Sequence, residues 1–333
     1  MSLRRRVVLT ISVFGSVAVA ACLVAPLVGS APVSLLRVFD RRLPFAANPD
    51  AQIFFIARLP RTLVAALVGA ALAASGVVFQ ALLRNPLATP FTLGVSAGAA
   101  LGAMLAITLP VSWAFAGVTS VPVASFAGAL SAVAVVYLLS TARRQGLSTS
   151  VLLLAGITLN SFFSAIVLFV QYLADFTQTM RTVRWLMGDL DVGGYAPIVA
   201  ALPFLAVAFA MFAWLTRSLN LLTLGADAAS ARGVDVVRTQ RVAFLSASLA
   251  TGAAVSLGGP VGFIGIIVPH LIRLLVGSDH RLVLPASTLF GAAFLVACDL
   301  VARTLLAPMD LPVGIITALI GGPFFLWLLV RKR

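Results

Sequence analysis

Apolar residues run along this chain in long unbroken stretches, and polar residues gather in short clusters between them. Charges, prolines and glycines divide the pattern into ten apolar runs, near residues 7–29, 62–83, 92–109, 122–141, 150–173, 196–216, 241–258, 261–277, 282–304 and 311–330. Most are about 18 to 24 residues long, enough for an α-helix to cross a hydrocarbon core of about 30 Å, whereas the strands of a membrane barrel alternate over roughly 10. The pattern predicts an all-α polytopic membrane protein with about ten transmembrane helices in one domain over residues 1–333. The third and eighth runs are the weakest, the eighth because Pro269, His270 and Arg273 interrupt it. Composition agrees, since 61% of the residues are hydrophobic and 10% charged, more apolar surface than one soluble core could bury.

Arg4, Arg5 and Arg6 ahead of the first run, with Ala20, Ala21 and Cys22 inside it, imitate a secretory signal or a lipoprotein cleavage site. The run from Val7 to Val28 is longer than the roughly 7 to 15 residues of a signal core and long enough to span, so it counts as the first helix. An even number of spans puts both termini on one side. With that side cytoplasmic, fifteen of the 23 Lys and Arg residues lie inside and eight outside, as the positive-inside rule requires. The expected location is the cytoplasmic (inner) membrane, with both termini in the cytoplasm. The same asymmetry removes nucleic acid as the reason for a net charge of +13, most of which reads as topology signal and as surface facing anionic membrane lipid.

What the apolar runs lack narrows the mechanism. The chain has no Glu, and of its ten Asp only Asp299 falls within a run, near the outer end and four residues before Arg303. A proton- or sodium-coupled carrier uses an ionisable group or an unwound helix deep in the bilayer, so energy is expected to enter from another subunit. A secondary carrier or channel is the alternative from a different class. Cys22 and Cys298 read as small packing residues, and His270, with no second ligand nearby, reads the same way. No catalytic residue, cofactor or metal site is assigned.

The stretch from Arg58 to Gly102 is the richest in signals. Arg58 and Arg61 bracket Leu59 and Pro60, an uncharged run follows, and Arg84, Asn85 and Pro86 end it. Gly94, Gly98 and Gly102 then place a side-chain-free stripe at four-residue spacing on the next helix, which allows close packing on a neighbour. Between the sixth and seventh spans, residues 217–241 form the longest internal polar segment, with an Ala-rich middle punctuated by Gly225 and Gly233. Its length suits two short helices lying across the cytoplasmic face, an element able to dock in a groove on a soluble partner. An ordinary solvated loop is the other reading.

Several of these segments are similar in sequence and order to one family. Arg-Leu-Pro-Arg at 58–61, Asn85-Pro86-Leu87-Ala88, Gly94-Val95-Ser96-Ala97-Gly98, Leu147-Ser148-Thr149-Ser150, Trp185-Leu186-Met187-Gly188, Gly259 to Gly265 with Pro269-His270, and Asp299 to Arg303 resemble the FecCD-type permeases. These are the membrane subunits of type II ABC importers for iron chelates, haem and vitamin B12. The resemblance implies a homodimer of ten-span subunits around a translocation path, bound by two ATPase subunits inside and a substrate-binding protein outside. The chain would then be no enzyme itself.

By the same resemblance, Arg58, Arg61 and Arg303 ring the outer mouth and receive carboxylates of the binding protein; anchoring at the interface or an internal Asp299–Arg303 bridge is the competing reading. Asn85, Leu87, Thr149 and Ser150 form a cytoplasmic gate, where Ser148 or Thr149 also suits the cap of span five. Leu224, Gly225, Asp227, Ala229, Arg232 and Gly233 belong to the coupling segment seated on the ATPase. The chain departs from the family there: Ala226 and Asp227 stand where two consecutive acids are common, and Arg232 where Leu is. A path without charged groups suits a large chelate; an iron(III)-siderophore is the expected cargo, with vitamin B12 or haem as alternatives.

Overall fold

The computed structural model describes residues 2–40, 42–109, 114–115, 117–141 and 149–331. Its principal helices are α1 (Leu3–Val24), α2 (Leu59–Leu83), α3 (Val95–Thr108), α4 (Ser120–Thr141), α5 (Thr149–Leu173), α6 (Phe176–Leu186), α7 (Ala196–Leu222), α8 (Ala226–Ser230), α9 (Val236–Gly258), α10 (Ile264–Val276), α11 (His280–Thr304) and α12 (Val313–Arg331). Among the described residues seven helices are long and apolar enough to cross a membrane, and α3, α10 and α12 are shorter apolar helices. Each of the ten expected spans is thus a helix. Among the described residues the only strand pairing is a short ladder of Ala114–Phe115 with Val118–Thr119.

Helix α2 is the axis of the bundle. It is buried along nearly its whole length, and α11, α9, α10 and α7 pack around it, with α1 outside α11. A second group, α3, α4 and α5, joins the first through contacts of α9 with α4 and α3. Lipid tails are as apolar as leucine, so helices in a bilayer associate by close van der Waals fit, which small residues permit. A Cβ on Gly76 would run into the carbonyl of Gly265, and one on Gly69 into the carbonyl of Gly291. The backbones of α10 and α11 therefore touch that of α2 directly.

The glycine stripe of α3 divides between two partners. Gly98 and Gly102 face the backbone of α4, where an added Cβ would strike the carbonyls of Gly128 and Ala124. Gly94 lies off that line: it is the left-handed cap before α3, at φ 79°, and it approaches the carbonyl of Gly156 on α5. The spacing of four is right for one face only within a helix, and α3 begins at Val95.

Helix α2 is preceded without a break by one π-helical turn, Ile53–Arg58. Pro60 explains it, because proline has no N–H to donate and its ring crowds the carbonyl one turn back, which the wider turn relieves. Two of the three shorter spans are entered through irregular backbone, Thr89–Gly94 before α3 and Gly259–Phe263 before α10. Such backbone is tolerated at membrane depth only inside protein. The two breaks adjoin, since a Cβ on Gly265 would lie 3.7 Å from Pro90.

The contact geometry sorts the glycines by tolerance. Gly76→Ala and Gly98→Leu should each lower stability by at least about 1 to 3 kcal/mol, the usual cost of overpacking, whereas Gly322→Ala, with no atom within 4 Å of the new methyl, should be neutral or mildly stabilising. Melting temperatures of the purified variants in detergent test this order, and a normal Gly76→Ala would contradict the backbone contact.

Candidate functional site

The bundle has two polar ends. Arg6 of α1 donates to the carbonyl of Val276 at 3.0 Å, which places the N-terminus beside the end of α10 on what is here the terminal face. The far face carries the three arginines singled out by sequence. All three are drawn into the protein. Arg58, at the last position of the π turn, is buried and donates to the carbonyls of Pro26, Leu27 and Ala31 in the connection after α1. Gly29 leaves it room, because any side chain there would overlap the guanidinium.

Arg61, one turn further along α2, bridges two carboxylates, Asp299 at 2.9 Å and Asp310 at 2.6 Å. Asp299 is 1% exposed and also faces Arg303 at 3.4 Å, the i, i+4 pair visible in the sequence. Arg303 donates in addition to the carbonyl of Ala25. The network joins α2, α11, the connection after α1 and the loop that carries Asp310, and two positive charges flank one buried negative charge. Arg58, Arg61 and Arg303 together line a cavity of about 310 Å³ with Asp191 and Asp310.

Sequence reasoning missed a second feature of the far face. Helix α6 stands between α5 and α7 and opens with a capping box, in which Asp175 accepts from the backbone of Gln178 while the Gln178 side chain accepts from Asp175 N. The signal was present as an acid three residues before a glutamine. With the ends of α3 and the start of α4, α6 encloses a cavity of about 750 Å³ lined by Arg181, Arg184, Trp185, Asp189 and Asp191.

On the terminal face the segment 217–241 holds one short helix rather than two. Helix α7 continues to Leu222 because Leu219 and Leu222 are buried, and α9 already begins at Val236, capped by Asp235 accepting from Arg238 N. Only α8 lies between, bounded by Gly225 at φ 113° and Gly233 at φ 80°. Ala229 is buried against the bundle, Asp227 sits in the first turn of α8, and Leu224 and Arg232 are exposed. Close by, Asn85 accepts from the backbone of Leu87 at 2.9 Å, making a tight turn that leaves Leu87 exposed. Thr149 begins α5 and Ser150 is exposed. Arg143, Arg144, Leu147, Ser148, Lys332 and Arg333 lie outside the described residues.

The model of the FecCD transport family matches residues 17–331. The chain belongs to that family. It is 42% identical to an uncharacterised ABC transporter permease, YvrB, of Bacillus subtilis over 83% of this chain and 78% of the relative. It is 44% identical to the cobalamin import system permease BtuC of Halobacterium salinarum over 89% and 78%, and 40% identical to the hemin transport system permease HmuU of Yersinia pestis over 92% of both chains. A solved structure of an ABC transporter assigned to the metal-chelate type, in an inward-facing conformation, superposes with a TM-score of 0.83 at 33% identity, covering 97% of this chain and 99% of that one.

In this FecCD permease a polar clamp fixes the root of the segment that carries α8. Asn220, near the end of α7, donates to Asp279 at 2.7 Å and accepts from the backbone N–H and the Nδ1 of His280, at 2.8 Å and 2.7 Å. Asp279 caps α11 and pairs with Arg281 at 2.7 Å, whose guanidinium holds the Asp279 carboxyl well below the usual carboxylate range. It therefore stays ionised at neutral pH, and the clamp keeps its charge.

The far-face network separates strong from weak partners. Asp299→Asn takes the one carboxylate from buried Arg303 and leaves Arg61 with Asp310 alone, and should cost about 3 to 5 kcal/mol, while Asp310→Asn removes a half-exposed partner and should cost about 1 kcal/mol or less. Thermal denaturation of both variants in detergent checks the difference; equal losses would mean that Asp299 does not hold the network.

Proposed function

We propose that this chain is the membrane permease subunit of an ATP-driven importer that moves a metal chelate, in the first instance an iron(III)-siderophore, across the cytoplasmic membrane. The observation that carries the reading is similarity over nearly the whole chain to permeases named for cobalamin and hemin import and to the solved metal-chelate type transporter. Vitamin B12 and haem are the alternative cargoes that these relatives keep in view. A FecCD chain with no Glu and one Asp within its spans has little with which to build an ion relay, so ATP hydrolysis by separate subunits supplies the energy.

In this reading the terminal face is cytoplasmic. Two ATPase subunits dock on it, one for each copy of the permease in a homodimer, and α8 with Leu224, Gly225, Asp227, Ala229, Arg232 and Gly233 is the coupling element. Asn85, Leu87, Thr149 and Ser150 form the gate above it. The far face is external and receives the binding protein at the cavity lined by Arg58, Arg61 and Arg303. An incoming carboxylate there competes with the partners these arginines already hold, and Asp310 is the one it can displace, being half exposed where Asp299 is buried.

Proteoliposomes containing the permease and its cognate ATPase should take up the chelate delivered by the binding protein only when ATP is enclosed with the ATPase. Uptake driven by a proton or sodium gradient without ATP would reject the proposal. Comparing a ferric siderophore, cobalamin and hemin in the same assay decides the cargo. For the outer mouth, Asp310→Asn should bind the loaded binding protein at least as tightly as the parent; weaker binding would remove Arg61 from the contact.

A further inference from the structure

A pocket of about 270 Å³ opens on the terminal face beneath the end of α2, lined by Gln80, Arg84, Asn85, Thr223, Arg273 and His280. Its charge is unbalanced. All ten Asp lie among the described residues, and none comes within ion-pair distance of Arg84 or Arg273. Asp279, next to His280, is turned onto Arg281 and Asn220 and does not serve the pocket. Arg273, on α10, is half buried and donates to Oε1 of Gln80, itself 5% exposed and anchored by its amide N–H to the carbonyl of Gly265 at 3.0 Å. A guanidinium withdrawn from water with one neutral partner is incompletely paired, and a second cation beside it raises the cost.

Arg84 adds a separate observation. It ends α2 in the left-handed conformation, at φ 49°, where glycine or asparagine would be easier, so its side chain is kept at a conformational cost. No hydrogen bond or ion pair of its guanidinium is found among the described residues, and it lies beside the root of α8, with Nη1 3.9 Å from where a Cβ of Gly225 would be.

We infer that this pocket is an anion site that receives one carboxylate side chain of the ATPase subunit when that subunit seats on α8. The inference rests on the reading of the terminal face as the ATPase face. Location favours a protein carboxylate over the phosphate of a membrane lipid: α2 is the most enclosed helix of the bundle, so its end lies amid α7, α10 and α11 and away from the lipid perimeter. The contact would tie the ATPase to two helices at once, through Arg84 beside the Asn85 turn and through Arg273 on the short α10. Bidentate guanidinium to carboxylate pairing suits both tasks.

The test uses the full permease reconstituted with its cognate ATPase. Arg84→Gln and Arg273→Gln should each weaken ATPase binding by about tenfold or more and flatten its dependence on salt, since a neutralised site no longer answers to ionic screening. Arg273→Lys, which keeps the charge, should restore part of the affinity, and the exposed Arg84 carries the test if Arg273→Gln folds poorly. Arg84→Lys should in addition form a carbodiimide crosslink to an Asp or Glu of the ATPase, identified by mass spectrometry. Variants that bind and crosslink no differently from the parent overturn the proposal. So does a loss confined to binding of phosphatidylglycerol against phosphatidylcholine nanodiscs, which would assign the pocket to lipid. Failure of the parent protein to bind any ATPase would instead reject the functional reading.

Discussion

The structure depends on direct contact between helix backbones. In a bilayer there is no gain from hiding one apolar helix face against another, so stability comes from fit, and the closest fit is available where glycine meets glycine. Helix α2 meets α11 at Gly69 and Gly291 and meets α10 at Gly76 and Gly265, and α3 meets α4 at Gly98 and Gly128. These contacts let α2 be enclosed on every side. They also allow irregular backbone at Thr89–Gly94 and Gly259–Phe263 to sit inside the membrane, where only neighbouring protein can cover its polar groups.

Polar groups are placed where this packing ends. On the far face Asp299 gathers Arg61 and Arg303, and Arg58 and Arg303 reach back to the connection after α1, so the otherwise lightly packed α1 is fastened to the bundle. On the terminal face Asn220, Asp279 and His280 join α7 to α11, and Gln80 and Arg273 join α2 to α10. Both networks link elements distant in sequence.

The two arginine clusters, Arg58, Arg61 and Arg303 on the far face and Arg84 and Arg273 on the terminal face, differ in how completely their charges are matched. The far-face network has a carboxylate for Arg61 and Arg303 and three carbonyls for Arg58. Among the described residues the terminal face offers no carboxylate to Arg84 or Arg273. Family membership assigns the chain to membrane transport, and the charges separate an arginine cluster already held by carboxylates and carbonyls from one without a carboxylate among the described residues.

Sequence alone determined the family, from its motifs, and the ten apolar helices, because hydrophobic run length is dictated by the thickness of a bilayer and needs no knowledge of neighbours. It also showed the Asp299–Arg303 spacing, a property of one helix. It did not give the inward commitment of Arg58, whose carbonyl partners stand 27 to 32 residues away, nor the bridge from Arg61 to Asp299 across 238 positions. The length of segment 217–241 suits two short helices, yet buried Leu219 and Leu222 extend α7 into it and leave room for α8 alone. Helix α6 escaped notice since its residues are too polar for a span, although its capping box is written in the chain. Local rules settle where helices begin and how long they are; which charge finds which partner is decided only when the packed bundle brings them together.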